Sequence, residues 1–414
     1  MRILTPLRDT PVAVLWGGLS LSAIGDQLYI VSVIWIAVGL LGAWAGYLPA
    51  LGAAAVLFTA LFGGSWADGR EPRAAMIGAD LIRALVLVLA VLEWTLRGRI
   101  SAATLLGLTV VLAIGQAVFR PALQGMLAPL VGERDRLPAA NALLDTTDRI
   151  ARLLGPGLVA LLAAWVPARH FLSLDAVSFL ASAVALTLIG RLRPLPPLRR
   201  SGPRENLIAS ARRGFRALSS HPVLWLEVRV NGILNGAWYA IMFLGVPLVL
   251  SEHAGLSAYG AVISAYGSTN LLATLLIGGR PMSANPGRQV FAGNLLLGCG
   301  MMVIAISAAA PASLHLAGFA AGACLGAAGG PMHDIPVAVL RQTKLSRADV
   351  PAAMRASLVV NNTGQLIAMT LVPLAYRVLP VWMVMAGCAG VIMLLGVIGL
   401  ARFGLSSQSF SVTL

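Results

Sequence analysis

The sequence predicts an all-α membrane protein with twelve transmembrane helices arranged as two six-helix halves. Of its 414 residues, 58% are hydrophobic and only 11% are charged, whereas soluble domains carry about 25% charged residues. Its apolar runs are continuous and about 20 residues long, which fits membrane helices rather than the alternating strands of a barrel. Its lysines and arginines concentrate in every second connection, as the positive-inside rule requires. These observations exclude a soluble enzyme.

Twelve stretches have the length of about 20 mostly apolar residues that a membrane helix needs. We number them as spans one to twelve: residues 12–38, 43–66, 74–96, 101–121, 141–166, 170–190, 223–250, 257–279, 289–310, 312–331, 353–378 and 380–402. With the N-terminus in the cytoplasm, only four of the 30 lysines and arginines fall outside. Both termini are therefore predicted to be cytoplasmic. We expect a multi-pass protein of the cell inner (cytoplasmic) membrane, surrounded by the lipid bilayer.

The predicted halves are residues 1–190 and 223–414, and a cytoplasmic linker connects them at residues 191–222. The linker is basic and rich in proline, a composition that resists helix formation and extends the chain. It begins after the sixth apolar stretch and ends before the seventh. Its position therefore predicts a connection between two domains of similar size.

An internal repeat supports this division. Residues 10–12 resemble residues 221–223, 211 positions later, and a second matching pair of segments lies 213 positions apart. In the first register Asp26 falls on Ala237. The acid is thus absent from the second copy, which favours a function for it over a role in building each half.

Asp26 lies near the middle of span one and needs an explanation. A carboxylate at the bilayer centre costs about 2.5–3.5 kcal/mol on insertion scales. One interpretation is an acid that binds substrate or carries a proton, with Gln27 and Tyr29 beside it. The other is a structural hydrogen bond to a neighbouring helix. The sequence offers Asp26 no obvious cationic partner at that depth, which favours a protonatable acid.

Polar residues within other spans are candidates for lining a cavity. Span five carries Asp145, Asp148, Arg149 and Arg152 at spacings that favour pairing along one helix face. These four charges either keep a polar entrance solvated or form a wall of the cavity. The remaining candidates lie in spans seven, eight and eleven: Asn231, Asn235, Trp238, Tyr239, Tyr266, Asn361, Asn362 and Gln365. Because such side chains also hold membrane helices together, it is the set rather than any member that predicts a cavity.

Several other functions find no support in the sequence. The net charge of +14 does not predict nucleic-acid binding, because the arginines fall in short segments between apolar spans. The three cysteines lie in separate apolar spans, without the spacing of a metal site. No glycine loop ending in Gly-Lys-Ser/Thr is present, nor a nucleophile–base pair at catalytic spacing. We therefore predict no cofactor, no metal and no enzymatic activity.

Five segments resemble the major facilitator superfamily. Residues 63–73, between spans two and three, read Gly-Gly-Ser-Trp-Ala-Asp-Gly-Arg-Glu-Pro-Arg. They are similar to the loop signature of the superfamily, except that Gly69 stands where an arginine is usual. The other segments are residues 80–83, 119–122, 138–143 and 175–179. Together they resemble the bacterial exporter branch that includes enterobactin-type siderophore exporters and macrolide efflux proteins.

The resemblance implies that the loop after span two acts as a conformational latch. The residues assigned to it are Asp68, Arg70, Arg73, Asp80, Arg83 and Arg120. Asp80 and Arg83 share a helix face, as a self-neutralising pair or as part of the latch. Arg120 is a candidate partner of either aspartate. The alternative is that the loop charges only obey the positive-inside rule.

These observations lead to one expected function. We expect a secondary active transporter that exports an amphipathic small molecule, such as a drug, antibiotic or siderophore, across the inner membrane. The resemblance implies alternating access, and Asp26 implies that protons are the coupling ion. An importer of a siderophore or nutrient with the same fold is the main alternative. A transport-inactive membrane sensor is the second.

Overall fold

The computed structural model describes residues 2–62, 71–132, 137–193, 207–280, 283–346 and 348–404. All regular elements within these ranges are helical. The α-helices are Thr10–Leu41 (α1), Tyr47–Phe62 (α2), Pro72–Arg97 (α3), Ala102–Val131 (α4), Leu137–Leu162 (α5), Ala168–Leu192 (α6), Leu207–Ser219 (α7), Pro222–Tyr239 (α8), Val246–Ser251 (α9), Leu256–Gly278 (α10), Pro286–Ser307 (α11), Ala312–Ala327 (α12), Gly329–Lys344 (α13), Val350–Val378 (α14) and Val381–Phe403 (α15). An all-α membrane fold is therefore confirmed.

Ten helical stretches of the described chain are long and apolar enough to cross a membrane. The first, Thr10–Thr59, runs through predicted spans one and two, which a short 3₁₀ segment joins at Gly42–Gly46. Predicted span five corresponds to α5, which does not count among the ten because it carries four charged residues. Each of the twelve predicted stretches thus falls mostly on helix within the described residues, although spans five and nine end in turns at residues 163–166 and 308–310. The division into six plus six helices and the cytoplasmic termini stay predictions.

Two helices extend well beyond their predicted ends. Span four was expected to end at residue 121, but α4 continues to Val131 through Pro121 and Pro129. Span ten was expected to end at residue 331, but α13 continues to Lys344. A prediction from hydropathy stops where apolar residues give way to polar ones. The helix continues because its backbone hydrogen bonds do not depend on the polarity of its side chains.

The described chain divides into two compact units. The first comprises residues 1–40 and 54–204, and the second comprises residues 41–53 and 205–414. In the first unit α3 packs along α4 and α6. In the second unit α11 packs against α12, α13 and α15, and α8 packs against α14. Each unit thus has its own helix-on-helix core.

Glycines allow the helices of the second unit to approach closely. A Cβ at Gly364 of α14 would lie 2.0 Å from the carbonyl oxygen of Gly232 of α8. A Cβ at Gly300 of α11 would lie 2.2 Å from the backbone nitrogen of Gly326 of α12. Membrane helices depend on such contacts because lipid provides no hydrophobic force between them.

The helix of predicted span seven changes geometry in its second half. After α8 the chain forms a π-helix at Ala240–Gly245, and Pro247 follows within α9. Pro247 has no N–H group for the carbonyl of Met242, five residues earlier. The Tyr259 hydroxyl donates to that carbonyl instead, at 3.3 Å. The wider turn is therefore compensated by a side chain, and it directly follows the aromatic residues of α8.

Part of the predicted linker is an ordered helix of the second unit. Ser210, Gly214 and Leu218 of α7 are buried at intervals of four residues. The Arg355 side chain of α14 donates a hydrogen bond to Ser210 Oγ at 2.7 Å. A Cβ at Gly214 would lie 2.1 Å from the carbonyl oxygen of Ala352. This face of α7 is thus fitted to the start of α14.

Candidate functional site

Two carboxylates from different helices meet inside the first unit. Asp26 of α1 is half-buried, and its neighbour Gly25 faces α6. A Cβ at Gly25 would lie 2.2 Å from Ser178 Oγ and 2.6 Å from Asp175 Oδ1. The missing side chain at position 25 therefore lets the acid of α6 approach α1. Asp175 and Asp26 interact electrostatically as a result.

Asp175 was not among the candidates that the sequence suggested. It is fully buried, and its Oδ1 accepts a hydrogen bond from Ser178 at 3.1 Å. Its Oδ2 is buried without a hydrogen-bond partner in the described chain. Asp175 lies within predicted span six, so the argument that selected Asp26 would also have selected it. In the sequence, Asp175 was noted only as part of a segment that resembles the family.

Arg83 is the cation at the centre of this group. It is buried and forms an ion pair with the buried Asp80, one turn earlier in α3. It also donates a hydrogen bond to Gln116 Oε1 of α4 at 3.1 Å. Its guanidinium carbon lies 5.0 Å from the ring centre of Phe119 and 4.2 Å from that of Phe179. Arg83 thus connects α3, α4 and α6.

The electrostatic surroundings of Asp26 differ from the prediction. The sequence offered no obvious cationic partner, but Arg83 and Arg120 are both close enough to interact with it. Asp175 and Asp80 interact with Arg83 as well. The sequence could not show this, because Arg83 comes from another helix. We call Asp26, Asp80, Asp175 and Arg83 the acidic cluster.

The acidic cluster has more negative than positive groups among its described side chains. Three carboxylates share Arg83, and Arg120 is already paired with Asp148 at 3.2 Å. Uncompensated buried charge is costly, so protons or a bound cation must balance the excess. In the described ranges, no group of His, Cys, Asp and Glu residues is arranged to hold a metal ion.

Gln27 and Tyr29 occupy different surroundings. Gln27 packs against α5, where a Cβ at Gly155 would lie 2.3 Å from Gln27 Cβ. The Tyr29 hydroxyl is buried and lies beside the Thr109 side chain of α4. It interacts electrostatically with Asp175 and Asp26. Tyr29 therefore borders the acidic cluster, whereas Gln27 contributes to the packing of α1 on α5.

The predicted latch separates into two groups. Asp68 and Arg70 lie outside the described residues. Arg73 pairs with Glu71 at 3.3 Å, and its guanidinium lies against Gly190 of α6. Asp80 and Arg83 belong to the acidic cluster, about two turns or more into α3.

The charged residues of span five also differ from the expected arrangement. Arg120 was a candidate partner of Asp68 or Asp80, but it pairs with Asp148 of α5. The reason is that α4 is longer than expected, which places Arg120 within the helix and beside α5. Arg152 is exposed. The side chains of Asp145 and Arg149 lie outside the described part.

The polar candidates of the second unit are half-buried. Asn231 of α8 donates a hydrogen bond to Asn361 Oδ1 of α14 at 3.1 Å. Asn362 donates to a carbonyl of its own helix at 2.9 Å. Gln365 donates to the carbonyl of Pro49 at 3.5 Å. These contacts hold helices together, so they fit the structural interpretation of such residues.

The aromatic candidates form one group, which we call the aromatic cluster: Trp238, Tyr239, Phe243 and Tyr266. The ring centre of Trp238 lies 5.1 Å from that of Tyr239, 5.4 Å from Phe243 and 5.6 Å from Tyr266. The rings of Tyr239 and Phe243 stack at 5.0 Å. All four side chains are half-buried, so the cluster lies at the margin of the helix packing.

A second buried ion network joins α8 to α13. Glu227 is 1% exposed and pairs with Arg341 at 3.0 Å. Its other oxygen lies 3.5 Å from His333 Nε2. Glu227 was not among the candidates that the sequence suggested, although it is an acid within an apolar span. Asp334, next to His333, makes no ion pair in the described ranges but interacts electrostatically with His333.

The fold and these buried charges define a class of protein. A polytopic helical bundle with ionisable groups deep in its spans is typical of a membrane transporter. The sequence profile of the Major Facilitator Superfamily matches residues 15–373. The chain therefore belongs to this superfamily.

Solved structures of several transporters share the fold. A POT family transporter in complex with a thioalcohol-conjugated peptide has 14% identity and a TM-score of 0.71, covering 96% of both chains. A bacterial homologue of the iron transporter ferroportin, in an inward-facing state, has 14% identity and a TM-score of 0.70, covering 96% of this chain and 98% of its own. The nucleoside transporter NupG has 12% identity and a TM-score of 0.74, covering 96% and 100%. The comparison with curated protein sequences found no significant match.

Proposed function

We propose that this protein is a secondary active transporter of the cell inner membrane that exports an amphipathic small molecule by alternating access. The proposed substrate is a drug, an antibiotic or a siderophore, and the proposed driving force is the proton gradient. This proposal includes twelve membrane helices in two six-helix halves, with cytoplasmic termini and membership of the exporter branch described above.

The acidic cluster is the observation that carries the proposal. Its three carboxylates share one arginine among the described side chains. A group with an excess of buried carboxylates can exchange protons as its access to water changes. Asp80 and Asp175 are fully buried, whereas Asp26 is half-buried. Asp26 is therefore the proposed entry point for the proton.

Arg83 is the proposed means by which proton binding affects the helices. Protonation of Asp26 would remove the attraction between its carboxylate and Arg83. Arg83 is held at the same time by Asp80, by Gln116 and by the rings of Phe119 and Phe179. A shift of the guanidinium would change contacts on α3, α4 and α6 together. The charge on α1 is thereby coupled to the packing of the first unit.

The experiment that tests this function compares vesicles of the two orientations. Radiolabelled candidates from a panel of amphipathic drugs and siderophores are supplied under an imposed pH gradient. Export predicts accumulation in inside-out vesicles, which an uncoupler abolishes. Accumulation only in right-side-out vesicles would support the importer. Absence of any accumulation across the panel in either orientation would favour the transport-inactive sensor.

The loop after α2 is proposed to be the conformational latch. We expect Asp68→Asn to slow turnover while substrate affinity stays unchanged, because the residue would act on the exchange between inward- and outward-facing states. Transport rates and binding isotherms of the same preparation measure the two effects. An unchanged turnover rate would leave the loop charges with an orienting role only.

A further inference from the structure

Helix α7 carries two exposed arginines on the side opposite to its contact with α14. Arg212 and Arg216 are exposed, because each lies about half a turn around the helix from the buried row that begins at Ser210. They are four residues apart, which separates them by about 6 Å along the helix axis. Neither forms an ion pair among the described residues, and α7 contains no acidic residue. We call Arg212 and Arg216 the basic face of α7.

The contacts of α7 with α14 hold the basic face in a fixed direction. A third arginine, Arg213, pairs with Asp349, directly before α14, at 3.7 Å. Ser210 accepts a hydrogen bond from α14, and Gly214 lies against the backbone of that helix. These three contacts fix the rotation of α7 about its own axis. The basic face is therefore held away from α14.

The basic face lies beside the first turns of two membrane helices. Helix α7 ends at Ser219, and the candidate membrane span Pro222–Ser251 begins three residues later. Helix α7 also contacts Ala352 and Arg355, in the first two turns of the candidate span Val350–Val378. The end of a membrane helix meets the lipid head groups. The basic face is therefore placed at the level of the head groups.

Neighbouring side chains suit the same level. Ile208, one turn before Arg212, is exposed although it is apolar. In α8 the guanidinium carbon of Arg229 lies 3.9 Å from the ring centre of Trp225. Tryptophan is enriched at membrane–water interfaces, and an arginine near a helix end directs its charge towards them. An apolar side chain beside arginines can contact acyl chains while the arginines contact phosphate.

We propose that the basic face of α7 binds the head groups of anionic phospholipids. Guanidinium groups match the geometry of phosphate oxygens, and two of them about 6 Å apart can bind one lipid or two neighbouring lipids. A zwitterionic lipid has the same phosphate but no net charge, so the basic face selects anionic lipids. This inference does not depend on the substrate, direction or coupling ion of the proposed function.

The test measures lipid binding to the purified full chain in a non-ionic detergent. Native mass spectrometry determines the affinities for phosphatidylglycerol and phosphatidylcholine with the same acyl chains. We expect phosphatidylglycerol to bind more tightly. Arg212→Gln should weaken its binding about fivefold, and Arg212→Gln/Arg216→Gln about 25-fold. Arg212→Lys/Arg216→Lys should retain most of the binding, because both charges are kept.

The matched control removes two other exposed arginines. Arg280→Gln/Arg288→Gln makes the same change of charge where α10 meets α11, and it should leave the preference for phosphatidylglycerol unchanged. An equal loss in this control would overturn the site, because the preference would then follow the overall charge. Equal binding of the two lipids would also overturn it. Displacement of phosphatidylglycerol by equimolar inorganic phosphate or hexaglutamate would assign the basic face to a free anion or an acidic protein instead.

Discussion

Replacing Arg83 by glutamine removes the cation that the acidic cluster shares. Arg83 is 2% exposed, and its partner Asp80 is fully buried. Removing one member of a buried ion pair costs about 3–5 kcal/mol, because the other charge stays buried without compensation. The lost ring contacts with Phe119 and Phe179 add to this. We therefore expect Arg83→Gln to lower the free energy of unfolding by at least about 3 kcal/mol.

The matched control lies on the same helix. Arg97 pairs with Glu93 at 3.1 Å, but its side chain is 72% exposed, and such exposed pairs contribute about 0–1 kcal/mol. Unfolding in mixed micelles with increasing SDS, followed by tryptophan fluorescence, compares Arg83→Gln with Arg97→Gln. The double variant Asp80→Asn/Arg83→Gln should recover about 0.5–3 kcal/mol of the loss. If the two single variants differed by less than about 0.5 kcal/mol, the description of Arg83 as a buried charge anchor would be refuted.

Two further predictions concern packing and pH. Gly364→Ala should destabilise the protein by about 1–3 kcal/mol, because its Cβ would lie 2.0 Å from the Gly232 carbonyl oxygen. The control in the same SDS titration is Gly107→Ala, since nothing lies within 4 Å of a Cβ at that position. Equal stability of the two variants would disprove the close contact. Burial, and secondly the charge of Lys344, hold the pKa of His221 below its usual range. Acidification from about pH 7 to about pH 5 should therefore favour protonation of the unfolded chain and reduce stability. His221→Asn should reduce this loss of stability at low pH. An identical dependence of stability on pH for the wild-type protein and the variant would contradict the assignment to His221.

The sequence predicted the helices well because hydropathy reports membrane spans directly. Its errors lie at helix ends, as at Val131 and Lys344, where polar residues continue a helix beyond its apolar part. The same cause affected Arg120. Placed at the end of a span, it was matched with the aspartates of the loop and of α3, but the longer helix sets it against Asp148.

The candidate site was only partly predictable. Asp26 was found because a single acid within an apolar run is conspicuous in one dimension. Asp175 can approach Asp26 because Gly25 has no side chain. The importance of this glycine becomes visible only when α6 is known to pack against α1. Arg83 was interpreted as a partner of Asp80, and that pairing is present. Its interaction with Asp26 needed the arrangement of α1 against α3.

Uphill transport and exchange by the Asp26→Asn variant test the central claim most directly. Asparagine keeps the size of the side chain but cannot carry the proton, so accumulation driven by a pH gradient in proteoliposomes should be lost. Exchange of labelled for unlabelled substrate, which needs no net proton movement, should persist. Glu93→Gln, which alters the pair with the exposed Arg97, should retain both activities. Accumulation against a gradient by Asp26→Asn would contradict the assignment of Asp26 as the coupling acid.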